Sequence, residues 1–428
     1  MYQPLLVLAI LSLGYTANAQ TASLLTTTDG SAVLPQTSEI RATGLTLYDS
    51  ARLTFARSQH RAEVAPYTVA VDSLRSQADR LLTMAPPSVM QKMMMPPSGD
   101  KHDYYSLGIY WWPDSAKEDG LPYVRHDGIP NPEYGDFDGP AISHMADATF
   151  TLALAWFYTT DKAYAEKATE LLTTWFLDSA TRMNPHLEFG QAIPGITEGR
   201  GIGIIETGAL VDVVNGIELL SRSSALRPAD YQGLKEWFSS YTHWLTTSQK
   251  GWDERMWRNN HGSSYDSQVA TFALFSGQDS IATMILDSVK VKRIDRQIEA
   301  DGSQPWELAR TKGMSYSIKN LRHLIENAII AEDLGIDLWH YESEQGGSIY
   351  QALAYLVPFY TEGKSFPYQQ IGGIEDYADN LLALLWIAAP HYEDTALNEW
   401  MKDFPIDVAD YSLLHLTYPR LPSTALAK

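Results

Sequence analysis

The chain has 428 residues, and its 45% hydrophobic and 11% aromatic content is ample for a large buried core. Asp and Glu number 52 against 32 Lys and Arg, and the formal net charge of −20 opposes binding to nucleic acid and to anionic membranes. The absence of cysteine excludes disulfides, thiolate metal sites and a Cys nucleophile. An acidic sugar polymer stays possible as a ligand wherever cations are concentrated locally.

The N-terminal region has the pattern of an export signal. An apolar run at 5–13 is too short to span a bilayer, and Ala-Asn-Ala at 17–19 has the small-x-small pattern of a cleavage site. We predict a signal peptide over 1–19, export to the periplasm or the cell exterior, and no membrane span. The Thr/Ser-rich residues 20–40 are predicted to be a flexible segment, and 41–428 to form one domain.

Periodic apolar spacing predicts a chain made almost entirely of helices, because strand-like alternation is nearly absent. The predicted helices lie near 42–57, 62–84, 142–159, 161–178, 206–222, 229–248, 263–276, 278–289, 315–334, 345–357, 374–388 and 394–402. Gly and Pro mark the turns between them, and no fixed-period repeat is visible. Such a series of helical hairpins predicts an all-α fold, an α/α toroid or incomplete α/α barrel.

The longest non-periodic segment covers residues 86–141 and is rich in Pro, Gly, Asp and Tyr. Loops of that length inside a compact domain are usually functional. Its aromatic side chains, such as Trp111 and Trp112, suit either stacking on a sugar ring or packing in the core.

A second loop, residues 184–203, ends in Gly-Arg-Gly-Ile-Gly at 199–203 and leads into the helix predicted to begin near Glu206. No strand precedes it, so the glycine spacing does not indicate a phosphate loop. Glu206 lies at the end of an apolar helix face, and a buried carboxylate needs a partner. Either Arg200 or the free N–H groups of the helix start can fill that role.

The helix predicted at 315–334 has one polar and one apolar face. On a wheel of about 100° per residue, three polar side chains fall within roughly 40° of Tyr316. They are Asn320, His323 and Asn327. The stripe has no Glu/Lys pairing, and it is either the wall of a polar cleft or a solvated helix side.

The segment before this helix supplies further candidate groups. Asn260 and His261 are adjacent in a predicted turn, and Arg310 precedes Tyr316 by six residues. Cations are also concentrated here, either for a polyanion or as ordinary surface charges. They are Arg255, Arg258, Arg310, Lys312 and Arg322.

Several motifs, in this order, resemble the alginate lyase family of polysaccharide lyases over roughly residues 85–360. They are Ser-Gly-Asp-Lys-His-Asp-Tyr at 98–104, Tyr-Trp-Trp-Pro at 110–113, Leu-Pro-Tyr-Val-Arg-His-Asp-Gly at 121–128, Asn-Asn-His at 259–261, and Glu-Leu-Ala-Arg-Thr at 307–311 with Tyr316. The resemblance implies an α/α toroid and metal-independent β-elimination on a uronic acid polymer. It also implies catalysis by Asn260, His261, Arg310 and Tyr316.

The spacing of Arg310 and Tyr316 favours a divergent branch of this family. The substrate therefore stays open among polymannuronate (alginate), polyglucuronate (glucuronan) and related β-1,4-linked polyuronates. The resemblance also leaves endo or exo action and the oligomeric state undetermined.

The residue types agree with an elimination, which removes the C5 proton beside the uronate carboxylate and expels the C4 oxygen. Asn260 and His261 can hydrogen-bond the carboxylate and stabilise the charge that develops on it. A Tyr has a reference pKa of about 10, so Tyr316 needs a cation such as Arg310 to become phenolate-like. The same phenol can then protonate the leaving oxygen in a syn elimination. His261 is the rival base.

We expect the loops beside the cleft and the polar helix face to supply the substrate-binding side chains. These are Arg200, Gln191, Glu206, Tyr104, Tyr105, Lys101, His102 and Asn320. We expect no cofactor and no metal, because no His/Asp/Glu group has ligand spacing. The expected partner is an acidic polysaccharide.

Two other classes of protein stay open at this point. An α/α-barrel glycoside hydrolase needs two carboxylates roughly 5 to 10 Å apart, and Glu206 and Glu307 are the candidates. A non-catalytic exported glycan-binding protein would use the aromatic residues of 104–112 as its platform. Only elimination leaves a C4–C5 double bond conjugated with the carboxylate.

Overall fold

The computed structural model describes residues 44–392, 395–406 and 412–421. The predicted signal peptide at 1–19 and the predicted flexible segment at 20–40 lie outside the described residues. In the described part, no helix combines the length and the apolar character that crossing a membrane requires.

Helices dominate the described residues, and we number the α-helices α1 to α17. Their bounds are Ser50–Arg61 (α1), Ala65–Leu81 (α2), Gly139–Thr159 (α3), Lys162–Leu172 (α4), Leu210–Leu220 (α5), Pro228–Thr247 (α6), Gln249–Arg255 (α7), Asn260–Phe275 (α8), Asp279–Asp287 (α9), Asp295–Gln297 (α10), Pro305–Leu308 (α11), Gly313–Glu332 (α12), Ile349–Leu356 (α13), Pro358–Thr361 (α14), Ala378–Ala388 (α15), Ala396–Lys402 (α16) and Ser412–Thr417 (α17). Shorter helical segments are the 3-10 turns Val89–Gln91, Pro132–Asp136, Gly201–Thr207, Glu375–Tyr377 and Ala389–His391, and the π segments Thr173–Leu177 and Lys290–Ile294. The helices form the predicted α/α toroid.

Four short strands belong to two separate two-stranded sheets. They are Tyr105–Leu107 (β1), Trp111–Trp112 (β2), Val124–Arg125 (β3) and Phe189–Ala192 (β4). β1 pairs in parallel with β4, and β2 pairs antiparallel with β3. The β1–β4 pair ties the long loop at 86–141 to the second predicted loop at 184–203.

Several predicted helix boundaries are wrong for local reasons. The helix predicted at 42–57 begins only at Ser50, because the Asp49 side chain accepts hydrogen bonds from Ala51 N and Arg52 N and caps it. The helix predicted from 206 is a 3-10 segment until Thr207, and regular α-helix starts at Leu210.

The helix α8 lies at the centre of the fold and positions the site. It packs against α5, α6, α9 and α12, and 14 of its 16 residues are buried. Arg293 forms a buried ion pair with Asp266 of α8 at 2.6 Å and also donates to the backbone oxygens of Arg255 and Trp257. Because the buried guanidinium holds both α8 and the segment before it, the start of α8 has a fixed position.

Candidate active site

Asn260 and His261 are the first two residues of α8, so the prediction that they lie in a turn is wrong. Asn259 is the N-cap, and its side-chain oxygen accepts from His261 N at 3.2 Å. An Asn at this position satisfies one of the free N–H groups at a helix start. The cap therefore presents Asn260 and His261 from a rigid helix end, beside α12.

The imidazole of His261 is oriented by a buried carboxylate. His261 Nδ1 lies 2.8 Å from Oε1 of Glu254, a fully buried residue of α7. Because an ionised carboxylate only accepts, Nδ1 carries the proton and Nε2 of the neutral ring has a free lone pair. The partly exposed ring can accept a proton at Nε2, or donate from it once protonated.

The amide of Asn260 is engaged with Glu307, a residue of α11. The backbone N–H of Asn260 donates to Glu307 Oε1 at 2.5 Å, and Asn260 Nδ2 lies 3.0 and 2.9 Å from the two carboxylate oxygens. Burial raises the pKa of Glu307, while the Asn260 hydrogen bonds and the charges of His261 and Arg310 oppose that rise. In the free protein Asn260 therefore joins α8 to α11 rather than presenting its amide hydrogens to a substrate.

Arg310 and Tyr316 are in direct contact. Arg310 Nη2 donates to the Tyr316 oxygen at 3.2 Å, and the guanidinium carbon lies 4.2 Å from the Tyr316 ring centroid. The phenol of Tyr110, in the turn between β1 and β2, lies 2.8 Å from the Tyr316 oxygen. Two hydrogen-bonding groups thus meet at the one oxygen that is proposed to carry a proton.

The guanidinium of Arg310 is also paired with Asp127. Arg310 Nη2 and Nε lie 2.9 and 3.3 Å from the two oxygens of Asp127, and Thr311 Oγ1 donates to the same carboxylate at 3.0 Å. Burial by itself raises the pKa of Asp127, but the hydrogen bonds and charge of Arg310, with Thr311 and Arg125, outweigh it and hold this pKa well below its usual range. Asp127 is therefore ionised and fixes the guanidinium against Tyr316.

The prediction that Arg310 makes Tyr316 phenolate-like is wrong for the free protein. Burial raises the pKa of Tyr316, and the neighbouring Tyr110 and Asp127 add to that rise, while Arg310 lowers the pKa by a smaller amount. Asp127, the ion-pair partner of Arg310, opposes part of the effect of the Arg310 charge on Tyr316. Tyr316 is consequently a neutral phenol before substrate binds.

Arg200 and Gln191 lie together next to Trp111. Arg200 Nε and Nη2 donate to the backbone oxygen and the side-chain oxygen of Gln191 at 2.8 and 3.1 Å. The guanidinium carbon of Arg200 lies 5.8 Å from the Trp111 ring centroid. Gln191 has a φ of 47°, an unusual conformation for a residue other than glycine, and such strain is concentrated at functional sites. Arg200 is a half-buried cation, and its guanidinium has more N–H donors than the two hydrogen bonds to Gln191 use.

Glu206 is held by hydroxyl groups from the long loop. Ser106 Oγ and Tyr104 OH donate to its Oε2 at 2.5 and 2.8 Å. Burial raises the pKa of Glu206 to about 7, against hydrogen bonds from Ser106, Tyr104 and Gln191 and the charge of Arg200. Its main partners are thus hydroxyl groups, which the sequence did not indicate.

Four of the predicted substrate contacts are occupied by protein groups. Tyr104 is fully buried, so its role is to hold Glu206. Lys101 Nζ donates to the backbone oxygens of Met90 and Lys92, and His102 Nδ1 bonds Arg182 O at 2.6 Å. The Tyr105 ring packs edge-on against Phe137 at 5.0 Å. These side chains shape the loop, and the prediction of direct substrate contact is wrong for Tyr104.

The polar stripe on α12 does not line a cleft beyond Tyr316. Asn320 and Asn327 are fully buried and His323 is 7% exposed. Asn320 Nδ2 donates to Gln297 and Gln304, and Asn327 Nδ2 donates to the backbone oxygen of Ser263 in α8. The prediction that Asn320 binds substrate is therefore wrong, because the stripe packs against other polar groups inside the protein.

The site contains functional side chains that sequence analysis did not assign. Tyr110 and Asp127 lie within motifs that carried the family resemblance, but their contacts cross 206 and 183 residues of chain. Nothing in the sequence indicated a role for Glu254, because its burial against His261 depends on how α7 packs. Among the described residues, no group of three or more His, Cys, Asp or Glu side chains is arranged to hold a metal ion.

Comparisons with known proteins agree with this fold and show the family. The alginate lyase family profile matches residues 88–366. An alginate lyase from Bacteroides ovatus is 39% identical over 87% of this chain and 98% of its own, with a TM-score of 0.84. Alginate lyase A1-III from Sphingomonas species A1 is 16% identical over 90% of this chain and 99% of its own, with a TM-score of 0.55, and is similar in fold. A search of curated proteins gives no match.

These findings define the protein as a polysaccharide lyase. The chain belongs to the alginate lyase family.

Arg200→Ala is expected to raise KM for substrate about ten-fold or more and to change kcat little. The half-buried guanidinium touches Gln191 and Trp111, and in the described residues no hydrogen bond or ring contact joins it to Tyr316 or His261. A substitution that weakens substrate binding equally in the ground state and the transition state raises KM and leaves kcat unchanged. Steady-state kinetics on a polyuronate check this result. A lowered kcat with unchanged KM would instead place Arg200 in the chemistry.

Proposed function

We propose that the protein cleaves a β-1,4-linked polyuronate by β-elimination and leaves 4,5-unsaturated uronate ends. The substrate is the polymannuronate of alginate or a glucuronan. The contact of Tyr316 with Arg310 and Tyr110 carries this proposal, because it places a proton-transfer group beside a fixed cation. The neighbouring pair of His261 and Glu254 supplies an oriented imidazole.

The first requirement is to stabilise the charge that builds on the uronate carboxylate as C5 loses its proton. In the proposal, Nε2 of protonated His261 donates to this carboxylate, while Arg310 acts on the Tyr316 oxygen. Fixed donors in a buried site are worth much more than the same groups in water. Asn260 has a positioning role, since it fixes the start of α8 on Glu307.

Proton transfer is assigned to Tyr316. Tyr316 first releases its phenol proton to solvent. The resulting phenolate takes the C5 proton, the C5–H electron pair forms the C4–C5 double bond, and the C4–O4 bond breaks with its electron pair on O4. The phenol then returns the proton to O4, so the leaving chain carries a hydroxyl group. Arg310 Nη2 already lies at the Tyr316 oxygen, and its charge stabilises the phenolate that forms.

A second assignment of the base has specific support. Tyr316 has a raised pKa and is neutral in the free protein, which suits a general acid. Glu254 leaves a lone pair on His261 Nε2, which suits a general base. In this alternative, His261 takes the C5 proton and Tyr316 protonates O4.

The site fits a glycoside hydrolase or a non-catalytic glycan-binding protein less well. Family membership favours elimination over hydrolysis and over binding alone. Both oxygens of Glu307 are engaged by Asn260, and Glu206 accepts from Ser106 and Tyr104, so neither carboxylate is free to act as a nucleophile.

A product assay over a panel of polyuronates tests the proposed function. Polymannuronate, polyguluronate, glucuronan and a neutral β-glucan are incubated with the protein, and ultraviolet absorbance and reducing ends are followed together. We expect both signals to rise equally with polymannuronate or glucuronan. Reducing ends without absorbance would identify a hydrolase, and neither signal on any uronate would contradict a lyase acting on these polymers.

The reaction is expected to need no metal ion, because protonated His261 supplies the positive charge at the carboxylate that a divalent cation would otherwise supply. Exhaustive chelation followed by gel filtration should leave the rate within two-fold of the untreated protein. Loss of turnover that is restored by one added divalent cation would contradict this expectation.

A further inference from the structure

Three exposed tryptophans line one open pocket. The chain has 12 tryptophans, and within the part that the structure describes only Trp252, Trp257 and Trp306 are exposed, at 55%, 46% and 53%. Together with the exposed Met256, they line a pocket of about 430 Å³. This volume lies within the roughly 300 to 1,000 Å³ range of small-molecule sites, and exposing so much indole to water is unfavourable without a ligand.

The pocket adjoins the catalytic groups. The Trp257 ring lies 6.1 Å from the His261 ring, and Asn259, which caps α8, also lines the pocket. Trp306 immediately precedes Glu307, which binds Asn260. A polymer that occupies the site at His261 therefore has a continuous path onto the tryptophans.

The charges in the pocket suit an acidic sugar. Arg258 lines the pocket, is exposed, and forms no ion pair within the described part of the chain. Asp253 also lines the pocket, but its Oδ1 accepts from Gln249 Nε2 at 2.8 Å. The net charge of −20 repels an acidic sugar from the chain as a whole. An unpaired cation beside aromatic side chains therefore favours binding of such a sugar at this pocket.

We propose that this pocket is a distal subsite that binds a uronate unit of the polymer outside the point of cleavage. The apolar C–H face of the sugar stacks on the tryptophans, and Arg258 binds its carboxylate. This inference rests on the proposed function, since it assigns the pocket to the same polyuronate substrate. Such a subsite increases the affinity for long chains and leaves the chemical step unchanged.

The test compares long and short substrates. The double variant Trp252→Ala/Trp306→Ala and the single variant Arg258→Ala are assayed on the polymer and on the shortest oligouronate that the parent cleaves. We expect the double variant to raise KM for the polymer about ten-fold and Arg258→Ala about five-fold, with kcat and the short-substrate kinetics within two-fold of the parent. Trp257 is left intact because its ring contacts His261.

Two controls separate binding from folding. Met284→Ala removes an equally exposed apolar side chain from α9 and should change nothing. Trp252→Tyr/Trp306→Tyr keeps aromatic faces and should restore most of the affinity for the polymer. Thermal melting of every variant checks that the fold is retained.

The outcomes that overturn the subsite differ from failure of the proposed function. An active parent with an unchanged KM for the polymer in the double variant contradicts the subsite alone. The same result with an altered oligomeric state assigns the tryptophans to contact with a second copy of the chain. An equal loss of activity on long and short substrates would contradict the subsite, because it would mean that the pocket residues affect the chemical step. A parent inactive on every polyuronate overturns the proposed function, and the subsite with it.

Discussion

Tyr316→Phe is expected to abolish elimination, with a loss in kcat of at least about 10³-fold, while the fold stays intact. General acid–base groups contribute about 10² to 10⁴ in rate, and here one oxygen is assigned both roles. Phe keeps the ring that packs against Arg310 and removes only the oxygen that contacts Tyr110 and Arg310. Absorbance of the unsaturated product gives the rate, and thermal melting should change by no more than a few degrees.

Tyr110→Phe is the matched control for this substitution. It removes the partner hydroxyl at 2.8 Å and leaves the oxygen of Tyr316 in place. We expect the rate to stay within about ten-fold of the parent, because the oxygen assigned to proton transfer is kept and only one hydrogen bond is lost. A Tyr316→Phe protein with more than about a tenth of the parent rate would contradict the assignment of proton transfer to Tyr316.

Arg310→Ala is expected to lower kcat/KM by about 10² to 10³, as the loss of one fixed donor to a developing anion does elsewhere. The phenolate loses its cation, and the ionised Asp127 loses its main partner and opposes negative charge at Tyr316. Kinetics on the preferred polyuronate measure the loss. Arg310→Lys keeps the charge but cannot reproduce the two contacts with Asp127, and it should recover only part of the rate.

The losses from Tyr316→Phe and Arg310→Ala should be strongly non-additive. Residues that act as one unit show this behaviour, because the second substitution removes an interaction that no longer exists. The double variant should therefore be about as active as the less active of the two single variants. Additive losses would show that Arg310 acts on the substrate independently of Tyr316.

Sequence analysis predicted the parts of the site that depend on local chain geometry. Periodicity located the helices that became α8 and α12, and Arg310 meets Tyr316 because only six residues separate them. It did not predict the Glu254–His261 pair, since burial of that carboxylate follows from the packing of α7. The contact between Tyr110 and Tyr316 depends on how the long loop folds back over 206 residues.

The polar face of α12 shows a second limit. A helical wheel identifies Asn320 and Asn327 as sharing a face, but it does not say whether that face meets water or protein. The facing helix α8 carries its own buried polar residues, such as Ser263 and Gln268. Two polar surfaces therefore pack together, and the hydrogen bond from Asn327 to the Ser263 backbone replaces the cleft that the sequence predicted.

The charge state of Tyr316 shows a third limit. The sequence places a cation near a phenol, which predicts a lowered pKa. The structure buries the phenol beside Tyr110, and this burial outweighs the charge of Arg310, which the carboxylate of Asp127 also opposes. Neither effect can be read from the spacing of Arg310 and Tyr316.

The pH dependence of kcat/KM in the parent and in His261→Gln tests the assignment of Tyr316 as the base most directly. An amide keeps a hydrogen-bond donor at the carboxylate but accepts no proton. Because the pKa of Tyr316 lies above its ordinary value of about 10, the reactive phenolate fraction increases ten-fold with each pH unit below that pKa. The account predicts that log kcat/KM of His261→Gln rises with unit slope through the alkaline range, so that this variant retains measurable elimination. In the parent the slope is smaller, because the proposed mechanism uses His261 in its protonated form and Tyr316 as the phenolate. No activity in His261→Gln at any pH would contradict the account and assign the base to His261.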